Sequence, residues 1–177
     1  AVSGLASAAT WDIDSAHATA HFTETHLGIT NVNGTLGSVS GKFNVDDKDI
    51  TKSTLEATID VKGINTGTAK RDDHLKSPDF FDVAKFPEAK FKSTKVEKGT
   101  ADNKLKIPGD LTMHGVTKPV TFETELSAEV DHPMVKGAKA RAATASLTLN
   151  REDWGLTWNM PLANNGLVVS KEIKVSL

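Results

Sequence analysis

Apolar and polar residues alternate with a period of two through most of the chain. Leu55, Ala57, Ile59 and Val61 share one parity, and Thr54, Glu56, Thr58 and Asp60 take the other. The same pattern returns at Leu105, Ile107, Leu111 and Met113, where Pro108 and Gly109 predict a bulge. It continues at Val120, Phe122, Leu126, Ala128 and Val130, then at Ala143, Ala145, Leu147 and Leu149. A last run holds Leu167, Val169, Ile173, Val175 and Leu177. Alternation of this kind gives each strand one face for a core and one for water. Turn signals separate the runs: Asn33-Gly34, Asp46-Asp47, Lys98-Gly99, Gly115, His132-Pro133 and Asn164-Asn165-Gly166. Strands joined by short turns, without helices between them, predict an all-β antiparallel meander. For a single domain of 177 residues the natural closure is a β-barrel of about eight strands.

One segment breaks the alternation. Arg71, Asp72, His74 and Leu75 fall within about one helical turn, and Pro78 ends it, predicting a short helical plug near residues 68–77. Phe80, Phe81, Phe86 and Phe91 follow, four of the seven phenylalanines in the chain. A segment charged on one side and aromatic on the other suits the mouth of a barrel better than the middle of a sheet.

Composition sharpens the picture. The chain is 38% hydrophobic and 6% aromatic, with no tyrosine, below the ~45–50% apolar content usual for globular domains on a scale that also counts glycine. Several positions of inward parity are small: Ala57, Ala89, Ser93, Ala128, Ala143 and Ala145. Such side chains cannot fill an eight-stranded barrel to a packing density of ~0.75. The expectation is a cavity that something else occupies; the alternative is a flattened barrel or sandwich closing on itself. Net charge is −2, from 21 basic and 23 acidic residues, which gives no support to nucleic acid or an anionic surface as partner. Without cysteine there are neither disulfides nor thiolate metal sites, a composition compatible with a periplasm. No apolar run approaches the roughly 20 residues of a spanning helix. Ala1 to Ala9 is small and uncharged, and Ser7-Ala8-Ala9 fits the small-x-small pattern of an export cleavage site, so residues 1–9 read as a signal-peptide remnant or a linker ahead of a domain over 10–177.

His17, His21 and His26 have no HExxH context, and strand parity sends His17 and His21 outward, against a metal site. Asp46, Asp47 and Asp49 lack the glycine and closing glutamate of a calcium loop. No nucleophile elbow, phosphate loop or dinucleotide fingerprint is present. Arg71, Asp72 and His74 form the best polar group: either they meet a ligand head group, or Arg71 pairs with a carboxylate and caps the plug while Leu75 anchors inside, the structural reading being favoured. Arg151 is expected to fix a strand end, with Trp154 packed inward. Trp158, Asn159 and Met160 would add an apolar wall with a polar tip.

Four stretches together carry a resemblance. They are Trp11-Asp12-Ile13-Asp14-Ser15-Ala16-His17; the run from Arg71 to Phe91 with its Arg-Asp-x-His-Leu, Pro-Asp-Phe-Phe-Asp and Phe-Pro-x-x-x-Phe elements; Gly109 to Phe122; and Asn150 to Asn159. In this order they resemble the YceI-like family of lipocalin-like, polyisoprenoid-binding proteins, over nearly everything from Trp11 to Leu177. The chain departs from the family pattern at Thr35-Leu36, where an aromatic is common, and at Pro108. The resemblance implies a lipocalin-like barrel that holds a long isoprenoid lipid, a polyprenyl phosphate or a ubiquinone-like isoprenoid quinone, in a periplasmic or secreted protein that sequesters or transports it. It implies no cofactor, no metal, and a possible homodimer. The lumen is then expected to be walled by Phe22, Ile59, Leu75, Phe80, Phe81, Phe86, Phe91, Met113, Phe122, Leu147, Leu149, Trp154, Trp158 and Met160. Arg71, Asp72, His74 and Asn159 are the head-group candidates. Two other classes stay open: an enzyme acting on the isoprenoid head through Asp72 and His74, and a carbohydrate- or protein-binding module with aromatics on an outer face.

Overall fold

A computed structural model describes residues 9–46, 48–164 and 166–177. The signal-peptide reading of residues 1–9 lies outside the described residues except for Ala9, which opens the first strand.

Among the described residues the fold has twelve strands and one α-helix. The strands are β1 (Ala9–Asp12), β2 (Thr19–His26), β3 (Thr30–Val45), β4 (Thr54–Asp60), β5 (Glu88–Ser93), β6 (Glu97–Lys98), β7 (Lys104–Met113), β8 (Val116–Leu126), β9 (Val130–Asp131), β10 (Lys139–Ala140), β11 (Ala143–Asn150) and β12 (Glu172–Ser176); the helix is α1 (Ala69–Lys76). Eight strands close a ring of antiparallel pairs in the order β3-β2-β12-β11-β8-β7-β5-β4, with β4 returning to β3. This is the predicted eight-stranded barrel. β1 and β6 hang on β3 and β7, and β9 and β10 form a separate small hairpin.

The long strand β3 makes the closure possible. Its first half pairs with β2 and its second half with β4, while β1 takes the remaining edge near Phe43. Glycine lets it serve both neighbours. Gly37 and Gly41 each have φ +147°, a region essentially closed to side chains. A Cβ at Gly37 would sit 1.9 Å from the Asp60 carbonyl oxygen, and one at Gly41 would sit 2.1 Å from that of Glu56. Beside Gly37 the β2–β3 register slips between Ala20 and His21, leaving Leu36 as the extra residue of a bulge. Bulges bend and twist a strand, which closing a sheet into a barrel requires.

Here the sequence expectation needs correcting. Pro108 and Gly109 produce no bulge, because the β7–β8 register runs unbroken from Lys104↔Glu125 to Met113↔Val116. The Pro108 carbonyl accepts from the Thr94 N–H on the β5 side. In a strand a residue's N and O point to the same neighbour, so the missing N–H also faces that side, just past the end of the β5 ladder at Ser93↔Gly109. Asn33-Gly34 is not a turn either, and lies inside β3. Ala128 and Val130 lie beyond the end of β8, and Leu167 and Val169 form only isolated bridges ahead of β12.

α1 matches the predicted plug. Ser77 and Pro78 stop it, with the Ser77 N–H donating to the His74 carbonyl. Leu75 packs against the barrel interior. The far half of that interior is filled: Val96, Leu105, Ile107, Phe91 and Phe122 are all buried, and the two phenylalanine rings meet edge to face at 5.0 Å.

Candidate functional site

Beneath α1 the barrel retains an apolar cavity of about 90 Å³. Of the residues expected to wall it, Phe22, Ile59, Leu75, Phe80, Phe81, Met113, Phe122, Leu147 and Leu149 do so. The strand parity of β2, β4, β7, β8 and β11 sends Phe22, Ile59, Met113, Phe122, Leu147 and Leu149 inward, Leu75 reaches in from α1, and Phe80 and Phe81 are turned in by the segment after α1. There the Phe80 N–H donates to the Ser77 carbonyl and the Phe81 N–H to that of Leu75.

Five expected residues lie elsewhere. Phe91 belongs to the filled far half. Phe86 packs against the β7–β8 hairpin, where its ring meets His114 at 4.9 Å. Trp154 is buried in the core, its indole N–H donating to the Leu111 carbonyl at 3.0 Å. Trp158 sits over the plug, edge-on to His74 at 4.8 Å and tilted on Phe80 at 5.2 Å. Met160 is 53% exposed. Trp158 and Met160 follow the 3-10 turn Arg151–Trp154, and beyond it strand parity no longer applies.

The head-group candidates are mostly engaged in holding the mouth together. Arg71 donates from Nε to Thr66 Oγ1 at 2.7 Å and from Nη2 to the Thr66 carbonyl at 2.9 Å. Its expected carboxylate partner is thus replaced by a loop threonine. Asp72 accepts from the Thr66 N–H at 2.8 Å and from the Thr66 hydroxyl. His74 Nε2 lies 2.8 Å from Asp79 Oδ2. Asn159 brackets Val169, donating to its carbonyl and accepting from its N–H.

The segment between Gly155 and Lys171 covers the same end and is fastened from below by Arg151. This buried guanidinium donates to the carbonyls of Ser170, Val169 and Leu156. The reading that Arg151 fixes a strand end therefore holds, and its reach is wider: it ties both ends of a long connection to the barrel floor. Next to it stands Glu24, a cavity-wall residue the sequence reading did not single out. The signal was present, since Glu24 continues the inward parity of Ala20 and Phe22 along β2.

Burial raises the Glu24 carboxyl above its ordinary value of 4.5, while the Ser170 N–H, His26, Arg151 and Arg71 pull it back down. A raised native pKa means that the ionised form costs stability. That cost is absent below pH 4.5, grows as pH rises through the folded value, and is constant above it. Glu24→Gln is therefore expected to be more stable than the wild type at neutral pH and to lose the advantage in acid. Urea midpoints at two pH values test this, and a difference that does not move with pH would count against a charge-based cost.

The wall opens between β8 and β11. Their ladder covers only Ala143↔Leu126 to Ser146↔Glu123, and beyond it the strands part around an outer cleft of about 780 Å³. Leu147, Leu149 and Val175 line both this cleft and the inner cavity. Among the described residues no cluster of metal-ligating side chains is found, and no helix is long and apolar enough to cross a membrane.

The comparisons fit this architecture. Residues 11–177 match the model of the YceI-like domain. A UPF0312 protein of Enterobacter sp. (strain 638) is 38% identical over 173 residues, covering 96% of this chain and 88% of that one. A UPF0312 protein of Vibrio parahaemolyticus is 43% identical over a shorter span, 69% of this chain and 64% of its own. Among solved structures, Burkholderia cenocepacia BcnA superposes with a TM-score of 0.77 at 18% identity, over 93% of this chain and 96% of that one. A polyisoprenoid binding domain from Saccharophagus degradans, implicated in plant cell wall breakdown, gives 0.63 at 14% identity, over 96% and 95%. With the barrel, the helical plug and a family match running from Trp11 to the last residue, the chain belongs to the YceI-like domain family.

Proposed function

We propose that the barrel binds an isoprenoid lipid, with the tail inside the lumen and the head toward α1. A polyprenyl phosphate and an isoprenoid quinone are the two ligand kinds considered. The role is carriage or sequestration rather than chemistry, in a periplasmic or secreted setting. The observation that carries this reading is the apolar cavity enclosed beneath α1 and the 155–171 segment. Family membership supports it, as does the likeness to a domain described as polyisoprenoid binding. Each buried methylene contributes about 0.8 kcal/mol, so the tail dominates affinity. A volume of about 90 Å³ holds only a handful of water-sized groups. A long tail therefore requires the barrel to widen, and the β8–β11 seam, whose ladder stops at Ser146↔Glu123 beside the outer cleft, is where the wall is already parted.

Organic extraction of the purified protein, followed by mass spectrometry, tests the reading. A stoichiometric isoprenoid is the expected result. A protein that emerges lipid-free and takes up no added polyprenol would sink it.

A further inference from the structure

Glu24 stands in the cavity wall with more than nine-tenths of its side chain buried. An ionisable carboxyl placed among Phe22, Phe80 and Leu149 costs stability unless it is well paired. Its partners are poor. Oε2 accepts a long 3.4 Å bond from the Ser170 N–H, and Oε1 lies 3.8 Å from His26 Nδ1, beyond hydrogen-bond reach. A carboxylate offers about four lone-pair sites, so most of its accepting capacity is unspent.

The charged groups facing it come from three elements: His26 on β2, Arg71 on α1, and Arg151 after β11. Arg151 spends all three guanidinium nitrogens on backbone carbonyls, and Arg71 turns Nε and Nη2 to Thr66 and Thr68. A phosphate at this point would lose its hydration and meet a carboxylate at close range, with no guanidinium fork oriented to receive it. A hydroxyl or amide N–H there would instead supply the donor that Glu24 lacks.

Resting on the isoprenoid reading above, we propose that Glu24 anchors the lipid head and selects a neutral head group bearing a hydrogen-bond donor, such as an alcohol, amide or quinol, over an anionic one. The polar end of the site is then the inner wall at Glu24 rather than the outer group, where Arg71 Nε and Nη2, Asp72 Oδ1 and His74 Nε2 already serve Thr66, Thr68 and Asp79.

The test uses the full chain after delipidation and two probes sharing one tail, a polyprenol and its monophosphate, measured by equilibrium dialysis at pH 8. The wild type is expected to bind the alcohol at least about tenfold more tightly, and Glu24→Gln to shrink that ratio to about threefold or less by improving the phosphate. Equal or tighter phosphate binding by the wild type overturns the proposal, as does a ratio that Glu24→Gln leaves unmoved. Should the variant not fold, the wild type supplies the second arm. A sulfonate with the same tail stays anionic at pH 4, below the ordinary carboxyl value that burial raises at Glu24, and its affinity relative to the alcohol is expected to rise there as Glu24 takes up a proton; no rise overturns the proposal. If neither the alcohol nor the phosphate binds the wild type, the isoprenoid reading itself falls and takes this inference with it.

Discussion

Alanine at Gly37 is expected to cost about 3–5 kcal/mol, a large share of the ~5–15 kcal/mol that holds a domain folded. Two terms add. A side chain at φ +147° is strained by about 1–3 kcal/mol wherever it is placed. The new Cβ would also fall 1.9 Å from the Asp60 carbonyl oxygen, a backbone atom at the end of β4 that no rotamer change can move aside. Relief needs β3 and β4 to part beside the bulge at Leu36, which is where the ring closes on itself. Overpacking of this kind adds about another 1–3 kcal/mol. Urea unfolding of Gly37→Ala against the wild type measures the loss. A shift below about 1 kcal/mol would show that the barrel closes with more slack than this geometry allows.

The second large effect is expected at Arg151. Methionine is of similar length and apolar, so Arg151→Met removes the hydrogen bonds with little loss of volume. The carbonyls of Leu156 and Ser170 then lose their guanidinium partner, at about 1–3 kcal/mol each where they stay buried. Val169 keeps the bond from Asn159. Glu24 loses a neighbouring cation, which raises the cost of its own burial. A net destabilisation of about 2–4 kcal/mol should follow, concentrated in residues 155–171. Hydrogen exchange reads this directly: amides of that segment, Val169 and Ser170 among them, are expected to exchange at least about tenfold faster, while those of β7 and β8 change less. Uniform acceleration across the barrel would mean that Arg151 supports the whole core rather than this cover.

Much of this was readable in the residues, for identifiable reasons. Period-two alternation reports a strand's inner face faithfully wherever the strand is regular, which accounts for six of the nine wall residues, Phe22, Ile59, Met113, Phe122, Leu147 and Leu149; Leu75, Phe80 and Phe81 came from the plug and the aromatic run behind it. α1 was legible because Pro78 gives its end a covalent cause. The misses share a different origin. Phe86, Trp158 and Met160 lie in connections, where direction is set by distant partners such as His114 and His74. Pro108 was read as a local defect, yet its tolerance depends on where the β5 ladder stops, which only the assembled sheet reveals. For Arg71 and Asp72 a head-group role stayed open beside the favoured structural one, because the geometry of Thr66 is invisible without the fold. Glu24 differs from these. Its inward parity was plain, and an acidic side chain on a lumen face is the anomaly that pattern reading should flag first.

The order of strands around the ring also bears on how the chain reaches this state. β12, the final strand, is seated between β2 and β11, so the earliest and latest parts of the barrel are zipped together by residues 172–176. An emerging chain must therefore wait with β2 and β11 unsealed until the last strand arrives, and pairings so distant in sequence place folding in the slow, millisecond-to-second range of β topologies.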